Sequence, residues 1–462
     1  MLQNINSKYV LNLVFKYMRN KKKLTIVKHN KEIMKRLDIK KDDFIVYDTL
    51  KEFNNKYNTN IKDIDIKILD LSKKNSGNKI ISYLAKLKFK DLKVLNLMYN
   101  NITDIHILSK AEFKGLNVLL LGNNKISNIE VLEKVNFKEL ILLDLSYNNI
   151  SDIDVLENVD FKELKYLNLK GNEISDIDIL EKVNFKKLKK LYLNINDLSD
   201  TDALDVFENI DFKELNTLFL SDNGISDINS LEKADLKQLK ILNLNNNNIS
   251  DIKVLEKVNF KDLEKLYLML NKISDISSLE KANFVQLKEL YLNNNKIKKI
   301  DALLEANFKN LKILSLRDNN ISDINKLEKA DLKCLEKLYL NYNNISNINV
   351  LEKIEFFELN ILSLSYNTIT DVNVLGKLNS EKLEELDLTS NYISDISSLE
   401  NANFPELKKL FLGYNMISDL NGLFKAKFKK LCNLNLYRNQ FEREQITPFI
   451  LKIFPKLKNL IY

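Results

Sequence analysis

The chain has 462 residues, 45% of them hydrophobic and 29% charged, an ordinary soluble balance, with a formal net charge of +7. No run approaches the roughly 20 apolar residues needed to cross a bilayer. Two cysteines, Cys334 and Cys432, exclude a disulfide framework and fit a reducing, intracellular and cytoplasmic setting.

The charge is unevenly placed. Residues 1–60 carry 14 Lys+Arg against 6 Asp+Glu, a net of +8, and the remaining residues carry 57 against 58, a net of −1. The start of the chain has no basic segment ahead of its apolar run and no small-residue cleavage site, so no signal peptide is read. Val10, Leu13, Val14, Tyr17 and Met18 follow helical spacing, with Leu11 and Phe15 widening the stripe. A Lys-rich break from Arg19 to Lys23 follows, and Leu24, Val27, Met34 and Leu37 predict a second helix. Asp42 to Tyr57 predicts a third. Residues 1–60 therefore read as a basic helical cap, and residues 61–462 as a separate repeat domain that opens on a degenerate unit at Ile66, Leu69 and Leu71.

From there a 24-residue unit recurs fifteen times, with the template L-x-x-L-x-L-x-x-N-x-I-S-D-I-x-x-L-E-K-x-x-F-K-x. Its asparagine runs from Asn100 to Asn439 in steps of 24, broken by one step of 27 between Asn196 and Asn223. Such regularity marks a stacked-repeat solenoid, in which each unit buries its apolar face only against its neighbours. In the copy from Leu140 to Glu163, side chains alternate along a short strand. Leu143 and Leu145 enter the core, and Leu142, Asp144 and Ser146 point outward. The Asn148 amide, donor and acceptor at once, can satisfy buried backbone groups turn after turn. Ile150 and Ile153 return to the core. Asp154 to Glu157 reads as a capping box that opens a short helix, as do Asp178/Glu181, Asn229/Glu232, Ser277/Glu280, Asn325/Glu328, Asn349/Glu352 and Ser397/Glu400. Phe161 closes the unit, and its equivalents should stack as a spine. The three extra residues near Asp202–Asn209 predict a local bulge. After the last full unit, Ile446 to Phe454 predicts a helix, and Leu457 to Tyr462 a partial repeat that closes the stack.

The run from Leu164 to Leu180, LKYLNLKGNEISDIDIL, resembles a leucine-rich repeat. It is most similar to the type found in the internalins and in the nuclear regulatory subunit of protein phosphatase 1, with two extra residues per unit near the Phe-Lys segment. The resemblance implies an α/β leucine-rich-repeat solenoid. Its curved parallel sheet lies on the concave side, with short helices or 3-10 turns on the convex side, and an α-helical N-terminal cap precedes it. It also implies partner binding on the concave side, and no single activity.

Catalysis finds no support. The only histidines, His29 and His106, have no partner at metal-ligand spacing, and no phosphate loop, nucleophile elbow or Cys-x-x-Cys occurs. The reading is of a protein that is not an enzyme, with no catalytic, metal or cofactor residues and no cofactor. Each unit has four outward strand positions, one before the second template Leu, one between the second and third, and the two after the third; of the 60 in fifteen units seven are basic and six acidic, a net of +1. A nucleic-acid groove needs a basic stripe, so no nucleic acid is expected on the repeats. Aromatics occupy this face instead, and Tyr buries area at low entropy cost while keeping a hydroxyl. Tyr267, Tyr291, Tyr339, Tyr342, Tyr366, Phe411 and Tyr414 are the candidate contacts for a protein partner, on a monomeric chain. An alternative comes from residues 7–39, whose apolar pairs resemble an F-box without its usual Leu-Pro entry and Trp. That resemblance implies a substrate receptor of a ubiquitin ligase.

Overall fold

The computed structural model describes residues 32, 34, 35 and 41–462, apart from 62, 63, 88, 112, 307, 379 and 442. The two helices expected before Asp42 and the F-box-like stretch lie, but for three positions, outside the described residues. Two compact units make up the chain: residues 1–168 with 183–185, and residues 169–182 with 186–462.

In the first unit, helix α1 (Lys41–Tyr57) occupies the segment predicted for the third helix. Its Phe53 ring lies 4.9 Å from Tyr57 and 5.9 Å from Tyr83 of α2 (Lys79–Leu87). The sequence reading missed α2, which occupies the stretch just after the degenerate first repeat and buries Ile80, Ile81, Leu84 and Leu87. Strands β1 (Ile68–Asp70), β2 (Val94–Asn96), β3 (Val118–Leu120), β4 (Leu142–Asp144) and β5 (Tyr166–Asn168) are all parallel. Each is three residues long, with its middle leucine buried and the flanking residues half-exposed in β2 to β5 and exposed in β1. Leu143 pairs with Leu167, one repeat on.

The second unit continues the pattern with β6 (Lys190–Tyr192), β7 (Thr217–Phe219), β8 (Ile241–Asn243), β9 (Lys265–Tyr267), β10 (Glu289–Tyr291) and β11 (Ile313–Ser315). Then come β12 (Lys337–Tyr339), β13 (Ile361–Ser363), β14 (Glu385–Asp387), β15 (Lys409–Phe411), β16 (Asn433–Asn435) and β17 (Asn459–Ile461). The pairing is parallel throughout, and the 27-residue step is absorbed with no slip in register, Leu191 facing Leu218. Helix α5 (Arg443–Ile453; α3 and α4 are given below) and β17 realise the predicted closing helix and partial repeat.

Within both units the template leucines and isoleucines and the spine phenylalanines are buried. Phe113 and Phe137 stack at 6.4 Å, and Phe404 and Phe428 at 6.1 Å. Full burial of such a side chain stabilises by about 1.5–3 kcal/mol, repeated many times in every unit. The asparagine ladder forms as expected. Asn148 Nδ2 donates to the Leu145 and Leu121 carbonyls at 2.9 and 3.1 Å, and its Oδ1 accepts the Ile126 N–H at 3.0 Å.

On the far side from the strands most units carry a 3-10 turn, such as Asp154–Asn158 or Ser277–Glu280. Two carry a short α-helix, α3 (Ala302–Glu305) and α4 (Asn421–Lys425). The expected capping boxes do not form: the residues assigned as caps are the first residues inside the turns, and the N-cap position itself is an isoleucine, which has no polar side chain to offer. The acceptor lies two residues earlier than expected. Asp152 Oδ1 takes the Asp154 N–H at 2.8 Å, and Asp275 and Asp395 do the same for Ser277 and Ser397. A 3-10 turn is tighter than an α-helix, and here the aspartate of each Ser-Asp pair supplies the local acceptor. Glutamates assigned to the boxes pair instead with the next repeat, Glu232 with Lys257 at 2.8 Å, Glu328 with Lys353 at 3.0 Å, Glu352 with Lys377 at 3.2 Å and Glu400 with Lys425 at 2.9 Å.

Candidate functional site

The outward face of the strands in the second unit holds all seven aromatic residues singled out above, and the backbone sorts them into two rows. Tyr267, Tyr291, Tyr339 and Phe411 end their strands and are half-buried. Tyr342, Tyr366 and Tyr414 are exposed and lie beyond the strands, in the corner before the ladder asparagine. This corrects the reading of that corner as part of the strand. Its residue has positive φ in copy after copy, 57° at Tyr342, 53° at Tyr366 and 56° at Tyr414. The left-handed region is costly for residues with a Cβ and least so for Gly, Asn and Asp. Gly171, Asp222, Asn246, Asn294 and Asp318 occupy the same corner in other copies. The tyrosines stand where the backbone favours them least, so local conformation does not explain their presence.

The rows are built by stacking between neighbouring repeats. Tyr267 and Tyr291 stack at 5.0 Å with 9° between planes, Tyr342 and Tyr366 at 4.1 Å and 7°, and Tyr192 and Phe219 at 5.1 Å. Tyr342 also carries the Arg317 guanidinium 5.0 Å from its centroid. Ser315 and Ser363, in the strands on either side of Tyr339, are buried.

Glu289 organises the first cluster. It pairs with Lys265 at 2.7 Å, and its Oε2 accepts the Tyr267 and Tyr291 hydroxyls at 3.4 and 3.3 Å. Burial, and after it the Glu289 charge, pushes the Tyr291 phenol up to about 12 and raises that of Tyr267. Burial also raises Tyr339, with a smaller contribution from Glu385. These phenols are neutral donors at physiological pH. Lys409 is matched to Glu385 at 2.9 Å, so two lysines of the face are neutralised within it.

The three-residue insertion does more than bulge. Within the second unit it borders a cleft of about 850 Å³ lined by Asp176, Asp178, Glu181, Asp202, Asp205 and Glu208. Burial first, and then Asp176, raise the Asp178 carboxyl above its usual range. Among the described residues, no group of three or more His, Cys, Asp and Glu side chains is placed to hold a metal ion, and no helix is long and apolar enough to cross a membrane.

Comparison with known proteins agrees with this geometry. A family profile described as "Leucine Rich repeats (2 copies)" matches residues 138–182, 213–257 and 261–305. Profiles described as "Leucine rich repeat" match residues 285–345 and 90–105. Among solved structures, an internalin from Listeria monocytogenes is 29% identical, with a TM-score of 0.59 over 72% of this chain and 88% of its own. The chain is a leucine-rich-repeat protein. Its units are of the internalin type. A leucine-rich-repeat protein from Leptospira interrogans shares the fold at 23% identity and a TM-score of 0.63, over 89% of this chain and 97% of its own. YopM from Yersinia enterocolitica shares it at 19% identity and 0.54, over 82% and 74%. Among curated proteins none matches the sequence.

Within this leucine-rich-repeat face, sequence reasoning missed Glu289 as the hub of a tyrosine pair and Arg317 as a lid on Tyr342. Strand parity carried a signal for the first, since Glu289 and Tyr291 are two apart and share a face. The recurring Gly, Asn and Asp before the ladder asparagine carried the signal for the left-handed corner.

Proposed function

We propose that this protein is a non-enzymatic scaffold, intracellular and monomeric, that recognises a protein partner on the concave, strand-bearing face of its repeats, with residues 1–60 as a cap and 61–462 as the binding array. Leucine-rich-repeat scaffolds of this kind are protein-interaction domains. The observation that carries the reading is the pair of tyrosine stacks, Tyr267 with Tyr291 and Tyr342 with Tyr366, held outward at positions that core packing does not require. Preformed stacks lose little entropy on binding, and aromatic anchors carry much of an interface's energy. The pairing of Lys265 and Lys409 with glutamates favours a protein over a polyanion, because cations already matched within the face have less to offer phosphates.

The test is affinity capture with the full chain. Changing Tyr291, Tyr339 and Tyr342 together to Ala abolishes recovery of the partner. Removing half-buried Tyr291 and Tyr339 lowers the melting temperature modestly, which a circular dichroism melt measures. Capture that survives the triple change and is lost on deleting residues 1–60 assigns recognition to the basic N-terminal segment and refutes the reading.

A further inference from the structure

Along the corner row before the ladder asparagines, successive repeats of the second unit present Asp318, Tyr342, Tyr366, Ser390, Tyr414 and Arg438. The stack that starts with the Arg317 guanidinium on Tyr342 continues through Tyr366 and then stops, because the next residue is a serine. Tyr366 is 45% exposed, and among the described residues no second ring or cation covers it. The next ring, Tyr414, is 48% exposed and stands two repeats away. Two strand spacings are about 9–10 Å. A planar group midway between the rings therefore lies about 5 Å from each, inside the ~6 Å range of a cation–π contact.

The charge beside this gap selects a cation. Asp387 lies on the outward face of β14, in the same repeat as Ser390. Its carboxylate accepts the Thr389 N–H at 3.0 Å and, at 3.5 Å, the Ser363 hydroxyl. Its strand neighbour Glu385 is matched by Lys409, whereas among the described residues no lysine or arginine pairs with Asp387. Its field reaches the stack: the Tyr342 phenol, raised chiefly by burial, is also raised by the Asp387 charge. Arg438, two repeats beyond Ser390, is engaged with Tyr437, 5.5 Å from its centroid; Tyr437 packs edge-on against Tyr414 at 5.3 Å, and the Arg438 charge also reaches Tyr414.

Resting on the partner-recognition reading above, we propose that Tyr366, Ser390, Tyr414 and Asp387 form a slot for one arginine side chain of the protein partner. The guanidinium enters over Ser390, stacks on Tyr366 and Tyr414, and meets the Asp387 carboxylate. Arginine fits better than lysine because its plane stacks on rings and pairs with a carboxylate through two N–H groups. The contact of Arg317 with Tyr342 is the same interaction made within the chain, two repeats earlier.

The probe is the blocked tripeptide N-acetyl-Gly-Arg-Gly-amide, titrated into the full chain carrying 3-fluorotyrosine and followed by fluorine NMR. Tyr366→Phe and Tyr414→Phe identify the two resonances. Both should shift together and saturate at millimolar peptide. Asp387→Asn should weaken binding by about threefold or more, and the lysine and glutamine tripeptides should bind more weakly still or not at all. Ser390→Tyr should abolish the shift by completing the stack, and the fold tolerates tyrosine at this corner in Tyr342, Tyr366 and Tyr414. Absence of a saturable shift in the two rings, an undiminished shift in Ser390→Tyr, or equal binding of the glutamine tripeptide overturns the slot. If the peptide fails while the triple tyrosine change still abolishes capture, the recognition face stands and the arginine slot alone falls.

Discussion

Replacing Asn247 by Ala tests whether the asparagine ladder holds the repeats together. The side chain is 7% exposed. Its Oδ1 accepts the N–H groups of Asn223 and Ile225 at 3.1 and 3.0 Å, both from the preceding repeat. Its Nδ2 donates to the carbonyls of Leu220, Leu244 and Asn245 at 3.0, 3.0 and 3.2 Å. The losses are unequal. Leu220 and Leu244 each keep a second amide donor, from Asn223 and Asn271. The two N–H groups lose an acceptor that the alanine does not replace. A buried donor left unpaired costs about 1–3 kcal/mol, so two place the loss at about 2–6 kcal/mol. Asn247→Asp is the sharper variant. It keeps an acceptor for the two N–H groups but turns a carboxylate oxygen toward three carbonyls, so it should be as damaging as alanine at neutral pH. Because those carbonyls disfavour the charged form, the folded-state pKa rises above the unfolded value, and the defect should shrink as the pH falls and the carboxyl protonates. Guanidinium unfolding measures the loss. Since repeat arrays can unfold in parts, hydrogen exchange at the Ile225 and Asn223 amides measures it locally. A loss below about 1 kcal/mol for the alanine variant, with unchanged exchange at both amides, refutes the ladder as the element that joins the repeats.

The remaining predictions concern packing and charge. Leu145→Ala, at a position with no solvent exposure, should destabilise by about 2–5 kcal/mol through the cavity it leaves, and chemical denaturation checks this. At Gly422 in α4, an added Cβ would come within 2.2 Å of the Ile396 carbonyl oxygen and 2.6 Å of Ser397 Cα, both backbone atoms. Gly422→Ala should therefore destabilise by about 1–3 kcal/mol, and an unchanged melting temperature would contradict that approach. Because Tyr291 titrates at about 12 when folded and near 10 when unfolded, the unfolded chain releases its proton first. Its contribution is thus complete below pH 10 and is lost as the pH rises toward 12, a loss that Tyr291→Phe should remove from the alkaline stability profile. Glu289→Gln should lower the Tyr291 pKa in an absorbance titration while leaving it above 10, because burial is the larger cause.

The architecture was legible in the sequence because a stacked repeat is a local problem solved many times. A strand of period two puts Leu143 inward wherever it occurs, and a buried Asn148 can satisfy only the backbone that the preceding turn presents. Repetition then removes the ambiguity that one apolar segment would leave. Composition and parity also placed aromatics on the outward face. What they could not decide is what lies next to what across repeats. The sign of φ at Tyr342, the stacking of Tyr342 on Tyr366, the sharing of Glu289 by two phenols and the gap over Ser390 all depend on angles and spacings between units 24 residues apart. The capping boxes failed for the same reason. A motif with the right spacing still needs helical geometry to bring its ends together, and a 3-10 turn packed on its neighbours turns those glutamates outward to the lysines of the next repeat. Local periodicity sets which side chains are buried, whereas contacts between exposed side chains are set by the rise and rotation from one repeat to the next, which only the packed tertiary structure defines.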